Sequence, residues 1–116
     1  MNFGPYVRRA REERLASGGA FSLRSLSGRL GIEHTYLSKI EREELPPPSE
    51  EVIVKLAAEL GEDPDVLLAL GGKVSRDLLE IIKTHPKAFA LLLRELRGQP
   101  DTTIDRLARR VRDGKW

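Results

Sequence analysis

The feature that most confines this chain is a link of three residues. Two segments of helical periodicity, ending near Leu30 and beginning again at His34, are separated only by Gly31-Ile32-Glu33. Ser22 stands where an N-cap belongs, with Leu26 and Leu30 inward in the helix that follows. Gly31 occupies the place where a left-handed residue ends a helix. Helices joined by so short a turn must cross steeply, with Ile32 pointing back into the angle between them. In the next helix, about His34 to Arg42, Leu37 and Ile40 sit at i and i+3 and face the core.

The remaining segments also read as helix, because no run of alternating β-branched residues is present. The first helix spans about Tyr6 to Ala16, with Val7 and Ala10 inward and Leu15 as a third candidate. Ser17-Gly18-Gly19-Ala20 breaks it. Pro46-Pro47-Pro48 forbids helix, and Ser49 then caps a fourth helix to about Leu60, stopped by Gly61. Ile53, Leu56, Ala57 and Leu60 form its apolar stripe. Pro64 opens a short fifth helix ending near Leu70. Gly71-Gly72 has the look of a hinge, and three more amphipathic helices follow, about Arg76 to Lys83, from Pro86 to Gly98, and from Pro100 to Gly114. The expected organisation is all-α: a domain over 1–70, a hinge at 71–73 and a helical region over 74–116.

The third helix presents a second pattern. His34, Thr35, Ser38, Lys39 and Arg42 share one outward stripe, which carries two permanent positive charges and no carboxylate. A solvated surface accounts for such a stripe when it stands alone. Beside a tight turn it suits a helix lying in the major groove of DNA, with short polar groups near its start and longer cationic arms beyond. Charge distribution agrees. The net charge is +2 over residues 1–45, −5 over 46–72 and +5 over 73–116, so the first and last segments suit a polyanion and the middle one does not.

The run from Ser22 to Arg42 resembles the helix-turn-helix of the Xre family, the phage Cro and repressor type. Pro48-Ser49, Leu56-Ala57-Ala58-Glu59-Leu60-Gly61 and Asp65-Val66-Leu67-Leu68 extend the resemblance over about residues 6–70. It implies a five-helix, repressor-like helix-turn-helix domain that usually acts as a dimer on a palindromic operator. Carried onto this sequence, it places His34, Thr35 and Lys39 as base-reading residues. Tyr36, Ser38 and Arg42 become contacts to the DNA backbone. Arg11 and Glu41 become a structural ion pair.

Three departures from the family pattern stand out. Leu23 replaces the usual Gln that meets a phosphate, so that anchor is lost or passes to Arg24. Glu43 replaces a usual Gly, and a positive φ there would strain it. Glu43 and Glu44 also bring two carboxylates close to the proposed interface. Ser17–Ala20 lengthens the first loop, either as a passive insertion or as an extra backbone contact.

In the last 44 residues, Phe89, Leu92, Leu93 and Leu96 form one stripe, and Ile104, Leu107 and Val111 lie on another. Three short helices bury such faces against each other, the first domain or a second chain. A dimer joined here gains effective concentration on DNA; an intramolecular cap is the alternative. Arg106, Arg109, Arg110, Arg112 and Lys115 make the final helix basic, which fits a second DNA contact, a partner surface or solvated charge. Trp116 is expected to be a packing anchor.

Other function classes fit poorly. The chain has no cysteine and only His34 and His85 as histidines, so thiol chemistry is excluded and neither a metal site nor a cofactor is expected. It lacks a glycine-rich phosphate loop and a nucleophile elbow, and its carboxylates form no evident acid–base pair, so no enzyme is expected. No apolar run approaches the roughly 20 residues of a membrane span, and no secretory signal follows Met1, which makes the cytoplasm the expected compartment. The expectation is a dimeric transcriptional repressor that binds double-stranded DNA. Its rival is an antitoxin or peptidase-regulated interaction protein, whose C-terminal helices bind a toxin or a regulatory peptidase and whose DNA binding is autoregulatory.

Overall fold

A computed structural model describes residues 2–116. Among these, every regular element is a helix: α1 Phe3–Ala16, α2 Leu23–Leu30, α3 His34–Glu41, α4 Glu50–Leu60, α5 Pro64–Leu70, α6 Arg76–Thr84, α7 Pro86–Leu96 and α8 Asp101–Arg112. They fall into two compact units, one reaching to Arg76 and the other Asp77–Trp116.

The helix ends of the first unit are written in its caps. Ser22 Oγ accepts the Ser25 amide at 3.1 Å, and Ser49 Oγ accepts that of Val52 at 3.4 Å. Asp63 caps α5, with Pro64 in its first turn. Gly31 (φ 73°) and Gly61 (φ 67°) end α2 and α4 in the left-handed conformation. Gly71 follows α5, and the Gly72 and Lys73 amides bond back to Ala69 and Leu68, so the proposed hinge begins as the closing turn of that helix.

The core of the first unit is formed by one side of each of α1–α5. Phe3 and Val7 of α1, Leu26 and Leu30 of α2, Leu37 and Ile40 of α3, the α4 stripe, and Leu67 and Leu68 of α5 are all buried. Packing joins α4 to α5, α2 to α3, α1 to α3 and both α1 and α2 to α4. Ile32 packs at the rim of this core, as the turn geometry requires.

Several boundaries and side chains depart from expectation. α1 begins at Phe3, not near Tyr6, because Pro5 falls in the first turn, where its missing N–H has no helical partner to lose. Phe3 thereby joins the core. Gly4 brings α1 directly onto the end of α3, and a Cβ there would collide with the Ile40 carbonyl oxygen. Leu15, at the far end of α1, is 44% exposed, not inward. α3 ends at Glu41, with Arg42 as its C-cap.

The second unit is built differently. Among its described residues none is buried, although α6, α7 and α8 are strongly amphipathic. Phe89 and Leu96 are half-buried, whereas Leu92, Leu93, Ile104, Leu107 and Val111 are exposed. Trp116 is 85% exposed and anchors no packing.

Candidate nucleic-acid interface

α3 is held from behind by two side chains and one ion pair. Leu37 and Ile40 are almost fully buried. Glu41, the last residue of the helix, takes Arg11 Nε on Oε2 at 2.7 Å and Arg11 Nη2 on Oε1 at 2.9 Å. Arg11 Nη1 donates as well to the Phe21 carbonyl at 3.1 Å. Arg11 is 6% exposed and Glu41 4%. A planar guanidinium matches a carboxylate in this two-bond geometry, so the contact fixes orientation as well as distance. It joins α1 to α3 and ties both to the loop before α2.

In front, α2 turns into α3 through a closed hydrogen-bonded corner. The Gly31 amide bonds to the Gly28 carbonyl at 3.3 Å, and the Ile32 amide to that of Ser27 at 3.1 Å. That corner sets the outward face of α3. Thr35, Lys39 and Arg42 are exposed on it, and His34 and Ser38 are half-buried. Tyr36, expected at the DNA backbone, packs its ring against the core rim and stays half-buried. Leu23 also packs at the rim, while neighbouring Arg24 is exposed.

Most cations of the first unit are committed within it. Arg8 pairs with Glu12 and Arg9 with Glu13 on the surface of α1. The Arg8 guanidinium holds the Glu12 carboxyl below its ordinary range, chiefly through their hydrogen bond. Arg29 donates to Glu59 Oε2 at 2.8 Å and to the Ala20 carbonyl at 2.7 Å, and its guanidinium lies 4.9 Å from the Phe21 ring centre. Arg14 lies over the same ring at 5.6 Å. The long first loop is thus clamped on Phe21. Among the described basic residues up to Arg42, only Arg24 and Lys39 have neither an ion-pair nor a ring partner.

Arg42 was expected at a phosphate, yet it already has a carboxylate partner. Its Nη1 lies 2.7 Å from Glu44 Oε2, and its Nε donates to the Ser38 carbonyl at 3.3 Å. The turn that allows this is left-handed at Glu43, with φ 61°, the one non-glycine residue of positive φ among those described. The Glu43 amide bonds to the Ile40 carbonyl and the Glu44 amide to that of Lys39, so Glu43 closes α3 in the way a glycine usually does. The sequence spacing contained the residues of this pair, but a periodic reading does not connect positions across a left-handed turn.

A buried anchor, a closed corner and an exposed polar helix face define the class, and comparison with known proteins agrees. The family model described as a helix-turn-helix domain matches residues 2–70, and the chain belongs to that family. Among solved structures, a complex of SinR protein with SinI protein is similar in fold, with a TM-score of 0.52 and 19% identity over 97% of each chain. No curated protein matches the chain. No helix among the described residues is long and apolar enough to cross a membrane.

Proposed function

We propose that the chain is a sequence-specific DNA-binding transcriptional regulator of the Xre type, acting in the cytoplasm as a dimeric repressor on a palindromic operator. The observation that carries this reading is the face of α3. Its inner side is locked by Leu37, Ile40 and the Arg11–Glu41 pair, and its outer side offers exposed Thr35 and Lys39 with half-buried His34 and Ser38 beside them. In this reading His34, Thr35 and Lys39 contact base edges, while Arg24, Ser38 and Arg42 contact the sugar–phosphate backbone. Tyr36 contributes mainly by packing, with its exposed edge near the backbone. Two copies joined through α7 and α8 place two readers on one duplex, about 34–36 Å apart or a multiple of that. Footprinting on a duplex selected from random DNA tests the reading; two protected half-sites are expected.

A second reading gives α6–α8 a different protein as partner, as in an antitoxin or a repressor controlled by a peptidase, with DNA binding autoregulatory. The unburied apolar faces of Leu92, Leu93, Leu107 and Val111 favour some protein partner. The similar solved structure, SinR protein in complex with SinI protein, supports a second polypeptide as that partner. The mass of the purified chain in solution separates the two readings. A stable homodimer favours the first, and a monomer whose last three helices become ordered only on adding another protein favours the second.

A further inference from the structure

The turn after α3 closes the helix through backbone hydrogen bonds, but the two side chains it carries are ill suited to their place. A carboxylate just past a helix C-terminus meets the negative end of the helix dipole, and α3 is followed there by two, Glu43 and Glu44. Glu43 also occupies a left-handed conformation that suits glycine. Both residue choices oppose stability where glycine and a neutral side chain would close the helix equally well, and the result is to carry the Glu44 carboxylate back to Arg42, 2.7 Å from Nη1. Both side chains are about half exposed, so the pair is open to competition from outside.

We infer that Glu44 is an affinity-limiting residue of the interface: it occupies the Arg42 guanidinium as an internal stand-in for phosphate, and duplex DNA must displace it. This rests on the proposed DNA-binding reading. A carboxylate and a phosphate present the same acceptor geometry to the planar donor fork of arginine. Arg42 lies one turn beyond Ser38 on the outward stripe, while Lys39 beside it has no ion-pair partner among the described residues. The two cations of the α3 stripe therefore differ. Lys39 meets a duplex at once, and Arg42 does so only by exchanging one anion for another. Sequence-independent attraction is held down, and base reading by Thr35 and Lys39 carries a larger share of binding.

The test uses the full chain and a mixed-sequence duplex, with affinity followed against salt for the wild type, Glu44→Gln, Arg42→Gln and the double variant. Glu44→Gln should tighten binding by about two- to fivefold at low salt, in keeping with an exposed ion pair. Arg42→Gln should weaken binding and reduce the salt slope by about 1, and adding Glu44→Gln to Arg42→Gln should then change affinity little. An equal gain from Glu44→Gln with and without Arg42 would overturn the inference, because Glu44 would then act on the duplex directly. Wild-type binding left unchanged by Glu44→Gln would overturn it while sparing the DNA-binding reading. Failure of every variant to bind any duplex would overturn both.

Discussion

Arg11 and Glu41 meet through two parallel hydrogen bonds of 2.7 and 2.9 Å, in a place where both side chains are nearly closed off from water. The pair sits at the end of the helix whose other side faces outward, so it fixes the tilt of the candidate reading surface. A buried pair gains little over a well-packed apolar replacement, but leaving one partner alone costs much. Glu41→Ala is therefore expected to lower stability by about 3–5 kcal/mol in urea unfolding. Replacing both residues by apolar ones of similar volume should recover a large part of that loss, while the position of α3 becomes less defined.

Glu43 holds a left-handed backbone that glycine adopts without strain. Relief of that strain is worth about 1–2 kcal/mol, and the extra freedom of glycine in the unfolded chain offsets roughly half of it. Glu43→Gly should raise stability by about 0.5–1 kcal/mol, read as a higher melting temperature.

Tyr6 Oη donates to Glu62 Oε2 at 2.8 Å, joining α1 to the segment after α4. The hydrogen bond, then burial and the Glu62 charge, raise the Tyr6 phenol above its ordinary value of 10.0. The protonated phenol is the form the fold favours. Its contribution is complete below pH 10 and is lost as pH rises from there through the raised value. Tyr6→Phe should cost about 0.5–1.5 kcal/mol near neutrality. The stability gap between wild type and variant should close in alkaline solution, as seen by denaturation at a series of pH values.

The second unit buries no residue, yet Leu93 is 60% exposed and Leu92 48%. If a second copy covers this face, Leu92→Asp with Leu107→Asp places charge in the joint and should convert a dimer to a monomer in analytical ultracentrifugation. The first unit has its own core and should keep its helical signal and its melting transition. A variant that stays dimeric would move the joint elsewhere.

Legibility in the sequence followed the kind of interaction. Ser22 and Ser49 act through their own hydroxyls, and Gly31, Gly61 and Pro64 through their own backbone, so α2, α4 and α5 can be read with their ends. Leu26 with Leu30, Leu37 with Ile40, and Ile53 with Leu56, Ala57 and Leu60 recur at helical spacing, so the core is readable too. Phe3 and Gly4 were missed because Pro5 resembles a break, and because close backbone approach at Gly4 leaves no periodic trace. The signal available was Phe3 four residues before Val7. Leu15, near the C-terminal end of α1, stays 44% exposed and outside the core. Of the α3 face, the exposed positions follow from spacing. The engagement of Arg42 by Glu44 and the packing of Tyr36 depend on the turn and on neighbouring helices, which one helix's pattern does not contain.

The most direct test of the central claim is selection of duplexes from a random pool by the wild-type chain and by Thr35→Ala and Lys39→Ala variants, followed by titration of the enriched duplexes against salt. The account predicts one enriched motif for the wild type. It predicts altered base preference at particular positions for each variant, worth roughly 1–3 kcal/mol per good contact, and affinity that falls steeply with salt. A wild-type chain that enriches nothing and binds no duplex at low ionic strength, or variants that select the unchanged motif, would contradict it.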